Sequence, residues 1–184
     1  MKRQNDIALI YTSYTDDLFT YGCYLGFDRE TVKDAIHDVF VKISIDSENL
    51  ENISNIKFYL FRSLKNRLLD IHKSQKEYIK LENIDLSREV PFKIEVNVQE
   101  LMIEEEEQIQ IKTSIEQMLN TLTDRQREII YLRYVQEYDY PQIAELLQIS
   151  VHGCRKLVSK AIFNLRERYG ALFLSLTSLI AYLR

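Results

Sequence analysis

The chain has 184 residues and a formal net charge of −4, with 46% hydrophobic and 28% charged residues. That balance excludes an intrinsically disordered chain and allows one medium domain or two small ones. Four Gly and two Pro are few breakers for such a length, which favours helices joined by short connections. Cys23 and Cys154 are far apart and lack metal-type spacing, which argues against a disulfide framework or zinc site and fits a reducing, cytoplasmic setting.

The polar residues 1–10 predict no secretory leader. No run approaches the roughly 20 apolar residues that span a bilayer, so membrane insertion is not expected. Residues 6–45 read as two helices. Ile7, Ile10, Tyr11, Tyr14 and Leu18 recur at helical spacing, and Gly22 and Gly26 break the pattern. Asp28 suits the cap of a second helix, whose apolar stripe is Val32, Ala35, Ile36, Val39, Phe40 and Ile43. Residues 44–54 are polar and loop-like.

A third helix is expected over about residues 55–74. Phe61, Leu64, Leu68 and Ile71 form its apolar face, with Arg62, Lys65, Asn66, Asp70 and Lys73 on the other side. Periodicity weakens over residues 77–112, which read as an acidic linker that becomes helical toward its end. The last domain starts near Thr113, where Ile115, Met118, Leu119 and Leu122 begin a helix. Thr123 with Gln126 forms a capping-box pattern before Ile129, Ile130 and Leu132. Asp139 followed by Pro141 marks another start, and Ser150 caps the final long helix.

Net charge alone argues against nucleic acid, yet its distribution is uneven. Residues 55–80 carry seven Lys/Arg against Asp70 and Glu77, and residues 150–168 carry five against Glu167. Between them, residues 81–116 carry ten acids against Arg88, Lys93 and Lys112. Two cationic zones flanking an anionic middle are the footprint of two phosphate-contacting surfaces.

The most informative stretch is residues 140–161. Two helices that cross tightly need apolar contacts and a small residue where backbones approach. Ile143, Leu147 and Ala144 supply these in the first helix, Ile149 and Val151 flank the turn, and Cys154, Leu157 and Val158 line the second. His152, Gly153, Arg155, Lys156, Ser159 and Lys160 then face outward, as polar and cationic residues do on a helix entering the major groove. The competing reading is an αα-hairpin with no role in DNA binding.

From Leu119 to Arg166, the segment LNTLTDRQREIIYLRYVQEYDYPQIAELLQISVHGCRKLVSKAIFNLR resembles region 4 of sigma factors of the extracytoplasmic-function (ECF) type, in the sigma-70 family. Upstream, DAIHDVFVKI (34–43) is similar to the region 2 helix that docks on polymerase. FYLFRSLKNRLLDIHKSQK (58–76) is similar to the adjoining promoter-reading helix, with its Asn66 and Asp70 pair. Together these cover about two thirds of the chain, in the family's order. Three features depart from the pattern: Gln148 stands where the turn usually has glycine, Gly153 replaces a small hydroxyl residue, and the region 2 helix has no Trp.

The resemblance implies an all-α protein of two small helical domains. Residues 1–78 would form region 2, 79–112 an acidic linker, 113–170 region 4, and 171–184 an apolar C-terminal tail. It implies that region 2 binds the β′ clamp helices of core RNA polymerase and opens the −10 element, and that region 4 binds the β flap and the −35 element. It also implies promoter DNA and an anti-sigma factor as partners, and no cofactor. His152, Gly153, Arg155, Lys156, Ser159 and Lys160 are the −35 candidates. Arg62, Lys65, Asn66, Asp70, Lys73 and Lys76 are the −10 candidates, and His37, Asp38 and Lys42 are the polymerase candidates. Phe58, Tyr59 and Phe61 are either base-stacking platforms or core. Asp70 either shapes a −10 pocket with Asn66 or pairs with Lys73.

Outside the resemblance, two alternatives stay open: a stand-alone helix-turn-helix regulator whose N-terminal half dimerises or senses, and an adaptor that binds other proteins through helical faces, its basic zones unused. Catalysis is not expected, because the three histidines, 37, 72 and 152, are not spaced as ligand pairs and no phosphate loop or nucleophile elbow is present. In the tail, Leu172, Leu176, Leu179 and Leu183 share one stripe, which predicts a partner surface or simple completion of the last domain.

Overall fold

The computed structural model describes residues 2–45, 53–80, 91–94 and 105–182. All regular elements among these residues are helical: α1 (Lys2–Tyr24), α2 (Arg29–Ile45), α3 (Ile56–Lys80), α4 (Glu105–Asn120), α5 (Asp124–Ile130), a π-helical turn (Tyr131–Val135), α6 (Tyr140–Leu147) and α7 (Val151–Tyr182). Contacts divide the chain into two units, Met1–Pro91 and Phe92–Arg184. Helices take up both ends of the stretch read as linker, since α3 continues to Lys80 and α4 starts within the acidic run at Glu105. The middle of that stretch and the side chains of the tail lie outside the described residues.

In the first unit, α1, α2 and α3 pack pairwise around one core. The whole expected stripe of α2 is buried. It meets Leu18, Tyr21 and Leu25 from α1 and its end, and Leu60, Phe61, Leu64 and Leu68 from α3. Large apolar side chains buried this fully contribute about 1.5–3 kcal/mol each before entropy is counted. The Tyr21 and Phe61 rings stand 5.1 Å apart, and Tyr11 meets Phe40 edge-on at 4.8 Å. Asp28 caps α2 as its position suggests: its Oδ1 accepts from the Glu30 and Thr31 amides at 3.1 and 3.0 Å. Asn55 caps α3 by accepting from the Phe58 amide at 3.0 Å.

Gly22 does not end α1 but lies inside it. Its reason is contact, because a Cβ there would sit 2.6 Å from Cγ1 of Val32. Gly26 ends the segment with φ +81°, a left-handed backbone that favours glycine.

In the second unit, α7 packs against α4, α5 and α6. Ile115, Met118, Leu119, Leu122, Ile129, Ile130 and Leu132 join Ile143, Leu146, Leu147, Cys154, Val158, Ala161 and Leu165 in its core. The Thr123 capping box forms as the sequence indicates, with the Gln126 amide donating to Thr123 Oγ1 at 3.3 Å and the Thr123 amide to Gln126 Oε1 at 3.1 Å. The helix that begins there is not uniform. After Ile130 it widens into the π turn, where the Gln136 amide reaches back to the Tyr131 carbonyl at 3.1 Å. The buried Gln136 amide group also donates to the Tyr131 hydroxyl at 2.7 Å, and the Tyr138 amide donates to the Leu132 carbonyl at 3.0 Å. These bonds satisfy groups that a simple helix end would leave open. At Gly170 the backbone of α7 leaves helical geometry, with φ 30° and ψ −98°.

Candidate nucleic-acid interface

The interface is built around the turn between α6 and α7. Asp139 and Gln142 form a second reciprocal capping box, at 2.8 and 3.0 Å, and fix the start of α6. At its end, Gln148 adopts the left-handed conformation, φ 53° and ψ 46°. The Ile149 amide then bonds the Ala144 carbonyl at 2.9 Å and the Gln148 amide bonds that of Glu145 at 3.2 Å. This pair of bonds is a Schellman motif, which normally draws glycine to the position Gln148 holds. From α5, the Arg125 guanidinium donates to the Leu147 carbonyl at 3.3 Å, adding a cation at the negative end of α6. Ser150 then caps α7 by accepting from the Gly153 amide at 3.0 Å.

The first three turns of α7 have two distinct sides. Cys154, Val158 and Ala161 are buried against α6 and α5, and Leu157 is half-buried. His152, Arg155, Lys156, Ser159 and Lys160 are exposed, and Gly153 is half-buried. A Cβ at Gly153 would meet only Ser150 Oγ, at 3.2 Å. The expected −35 residues therefore share one cationic face. Burial pushes the Cys154 thiol above its ordinary value, against a pull from Arg133 and Arg155. Two neighbours escaped the sequence reading. The Tyr140 ring lies under the Arg155 guanidinium at 5.6 Å and under that of Arg133 at 5.0 Å. Nothing local signals these pairs, because 15 and seven residues separate the partners along the chain.

In the first unit, Arg62, Asn66, Asp70 and Lys73 lie exposed on the outer side of α3. Lys65 does not. It is only 8% exposed, because it continues the stripe of Phe61 and Leu68 at spacings of four and three, with its stem packed inward. Phe61 is fully buried, which makes it core rather than a base platform, while Phe58 and Tyr59 are half-buried. Lys73 lies 4.0 Å from Asp70 with both side chains well exposed, a pair of little energetic weight. The Lys76 side chain lies outside the described residues.

His37, Asp38 and Lys42 are exposed on α2. Asp38 accepts from Arg67 Nε and Nη2, both at 2.8 Å, so α2 and α3 are tied at the surface. Val41 and Ile45 are also exposed along α2, at 41% and 76%. The sequence reading missed them because it followed only the buried stripe.

A family model described as Sigma-70, region 4, matches residues 112–162. The ECF RNA polymerase sigma factor SigM of Bacillus subtilis (strain 168) is 22% identical over 164 residues, which cover 89% of this chain and 93% of SigM. Bacteriocin UviA of Clostridium perfringens is 27% identical over 152 residues, covering 78% of this chain and 77% of UviA. Among solved structures, the sigma factor RpoE, in complex with the anti-sigma factor NepR from Bartonella quintana, superposes with a TM-score of 0.61 at 19% identity. It covers 88% of this chain and 95% of that one. The likeness extends through both units, which a stand-alone helix-turn-helix regulator with an unrelated N-terminal half does not explain. A cationic face set in a region 4 match, preceded by a three-helix unit within a near full-length likeness, makes the chain similar to ECF-type sigma factors of the sigma-70 family through both of its units.

Proposed function

We propose that this chain is an ECF-type sigma factor that reads promoters with two separate cationic faces while its α2 surface grips core RNA polymerase. The outer face of α7 enters the major groove of the −35 element. There Arg155 and Lys156 contact bases, His152, Gly153 and Ser159 line the approach, and Lys160 contacts phosphate. Phosphate contacts supply affinity and base contacts supply choice. The outer side of α3, through Arg62, Asn66, Asp70 and Lys73, engages the opened −10 element, and Lys76, farther along the chain, is proposed as a further contact. The half-buried Phe58 and Tyr59 are its remaining candidates for base stacking.

His37, Asp38 and Lys42, together with the exposed Val41 and Ile45, meet the β′ clamp helices. The second unit meets the β flap. The protein works in the cytoplasm, and among the described residues no helix is long and apolar enough to cross a membrane. RpoE is held by an anti-sigma factor in its solved complex, and this chain is proposed to be held by one as well.

The observation that carries this reading is the two-sided start of α7, cationic and exposed outside, buried within, and fixed in direction by the Schellman turn and the Ser150 cap. The deciding experiment is transcription in vitro from a promoter library, with core polymerase in the presence and absence of this chain. New starts that need the chain, with a −35 preference relaxed by Arg155→Ala, are expected. Starts whose preference ignores Arg155→Ala would overturn the assignment of α7 to the −35 element.

A further inference from the structure

We propose that Tyr140 is a positioning residue for promoter reading, its ring holding the Arg155 guanidinium in place before DNA arrives. The inference rests on the reading of α7 as the −35 helix. Tyr140 is the first residue of α6 and follows directly on the Asp139 cap, so its backbone is fixed by the reciprocal bonds between Asp139 and Gln142. The ring is half-buried. Arg133 stands over it at 5.0 Å and donates to the Tyr138 carbonyl at 2.9 Å, which ties that guanidinium to the backbone just before α6. Arg155 stands over the same ring at 5.6 Å, with its side chain exposed on the face of α7.

An exposed arginine samples many rotamers and gives up that freedom when it forks onto a base edge. A cation held over an aromatic face has lost part of it already, so less is given up on binding. Tyr140 itself need not touch DNA. It couples the first helix of the motif to the reading residue of the second, and Arg133 keeps a second positive charge beside the same ring.

The test uses the full chain with core polymerase on a library randomised across the −35 element, comparing the parent with Tyr140→Phe, Tyr140→Leu, Arg155→Ala and the Tyr140→Leu/Arg155→Ala pair. Phenylalanine keeps the ring face and should keep the parent's preference. Leucine keeps apolar bulk without the ring. It should reduce discrimination by about two- to fivefold, at the base positions that Arg155→Ala affects and at no others. In the Arg155→Ala background, Tyr140→Leu should change preference no further.

The proposal is overturned if Tyr140→Leu matches the parent, if it shifts other positions, if its effect persists without Arg155, or if phenylalanine fails to restore the preference. Loss of α6 packing alone would lower activity on all sequences alike, which counts against the proposal too. If Arg155→Ala leaves every preference intact while the chain still starts transcripts, the −35 assignment of α7 fails first, and that result is distinct from all of these.

Discussion

Replacing Gln148 by glycine should stabilise the second unit, and the magnitude follows from one torsion pair. Gln148 sits at φ 53° and ψ 46°, where the Cβ of an L-residue crowds the following carbonyl at a cost of about 1–2 kcal/mol. Glycine removes that crowding, but its looser unfolded chain offsets about 0.4–1 kcal/mol of the gain. A net stabilisation of about 0.5–1 kcal/mol remains. For a unit of this size, at about 4–8 °C per kcal/mol, the melting temperature should rise by about 2–8 °C.

Gln148→Ala keeps the Cβ and should stay within about 0.5 kcal/mol of the parent. Gln148→Pro cannot reach positive φ and loses the amide that bonds the Glu145 carbonyl at 3.2 Å, so it should cost about 3 kcal/mol or more. Calorimetry on the full chain reads the melting temperature. Hydrogen exchange at the Ile149 amide, bonded to the Ala144 carbonyl, assigns the change to the helix-turn-helix. A glycine variant no more stable than the alanine variant would refute the left-handed turn.

Gly22→Ala would place a methyl 2.6 and 2.9 Å from the two Cγ atoms of Val32, and should destabilise the first unit by about 1–3 kcal/mol in urea unfolding. Val32→Ala in the same chain should be partly compensatory, and strict additivity would refute the contact. The Asp28 carboxyl is held below its ordinary value of 3.8, first by the Thr31 hydroxyl and then by the Thr31 amide. Its stabilising effect is present above the unfolded-state value and fades as pH falls through the lowered folded one. Asp28→Ala should therefore flatten part of the acid-side loss in urea midpoint, and an unchanged pH profile would contradict the cap. Lys73→Ala should weaken promoter engagement across sequences alike and reduce the slope of log affinity against log salt by about 1. A base-specific effect in a titration at several salt concentrations would contradict a phosphate role.

The caps and stripes were legible because they are local. Thr123, Asp139, Ser150 and Asp28 each act within three residues of themselves, and the α2 stripe repeats every three to four residues, so their patterns can be read along the chain. The outward face of α7 was legible for the same reason, since fixing the inner stripe at Cys154, Val158 and Ala161 fixes what lies opposite. Gln148 was legible as an anomaly, a side chain where the turn wants none.

What tertiary structure decided depends on which elements come to lie beside each other. Lys65 belongs to a buried stripe because α3 packs on that side. Gly22 serves a close approach to Val32 instead of a helix end. Arg67 finds Asp38 across 29 residues of chain, and Arg155 finds Tyr140 only because the turn folds α7 back onto the start of α6. By itself the sequence determined most of the helices, their caps and the resemblance to sigma factors. The pairings between helices, and so the direction of the arginine proposed to read the promoter, came only with packing, because contact across elements follows from distance in space and leaves no period in the chain.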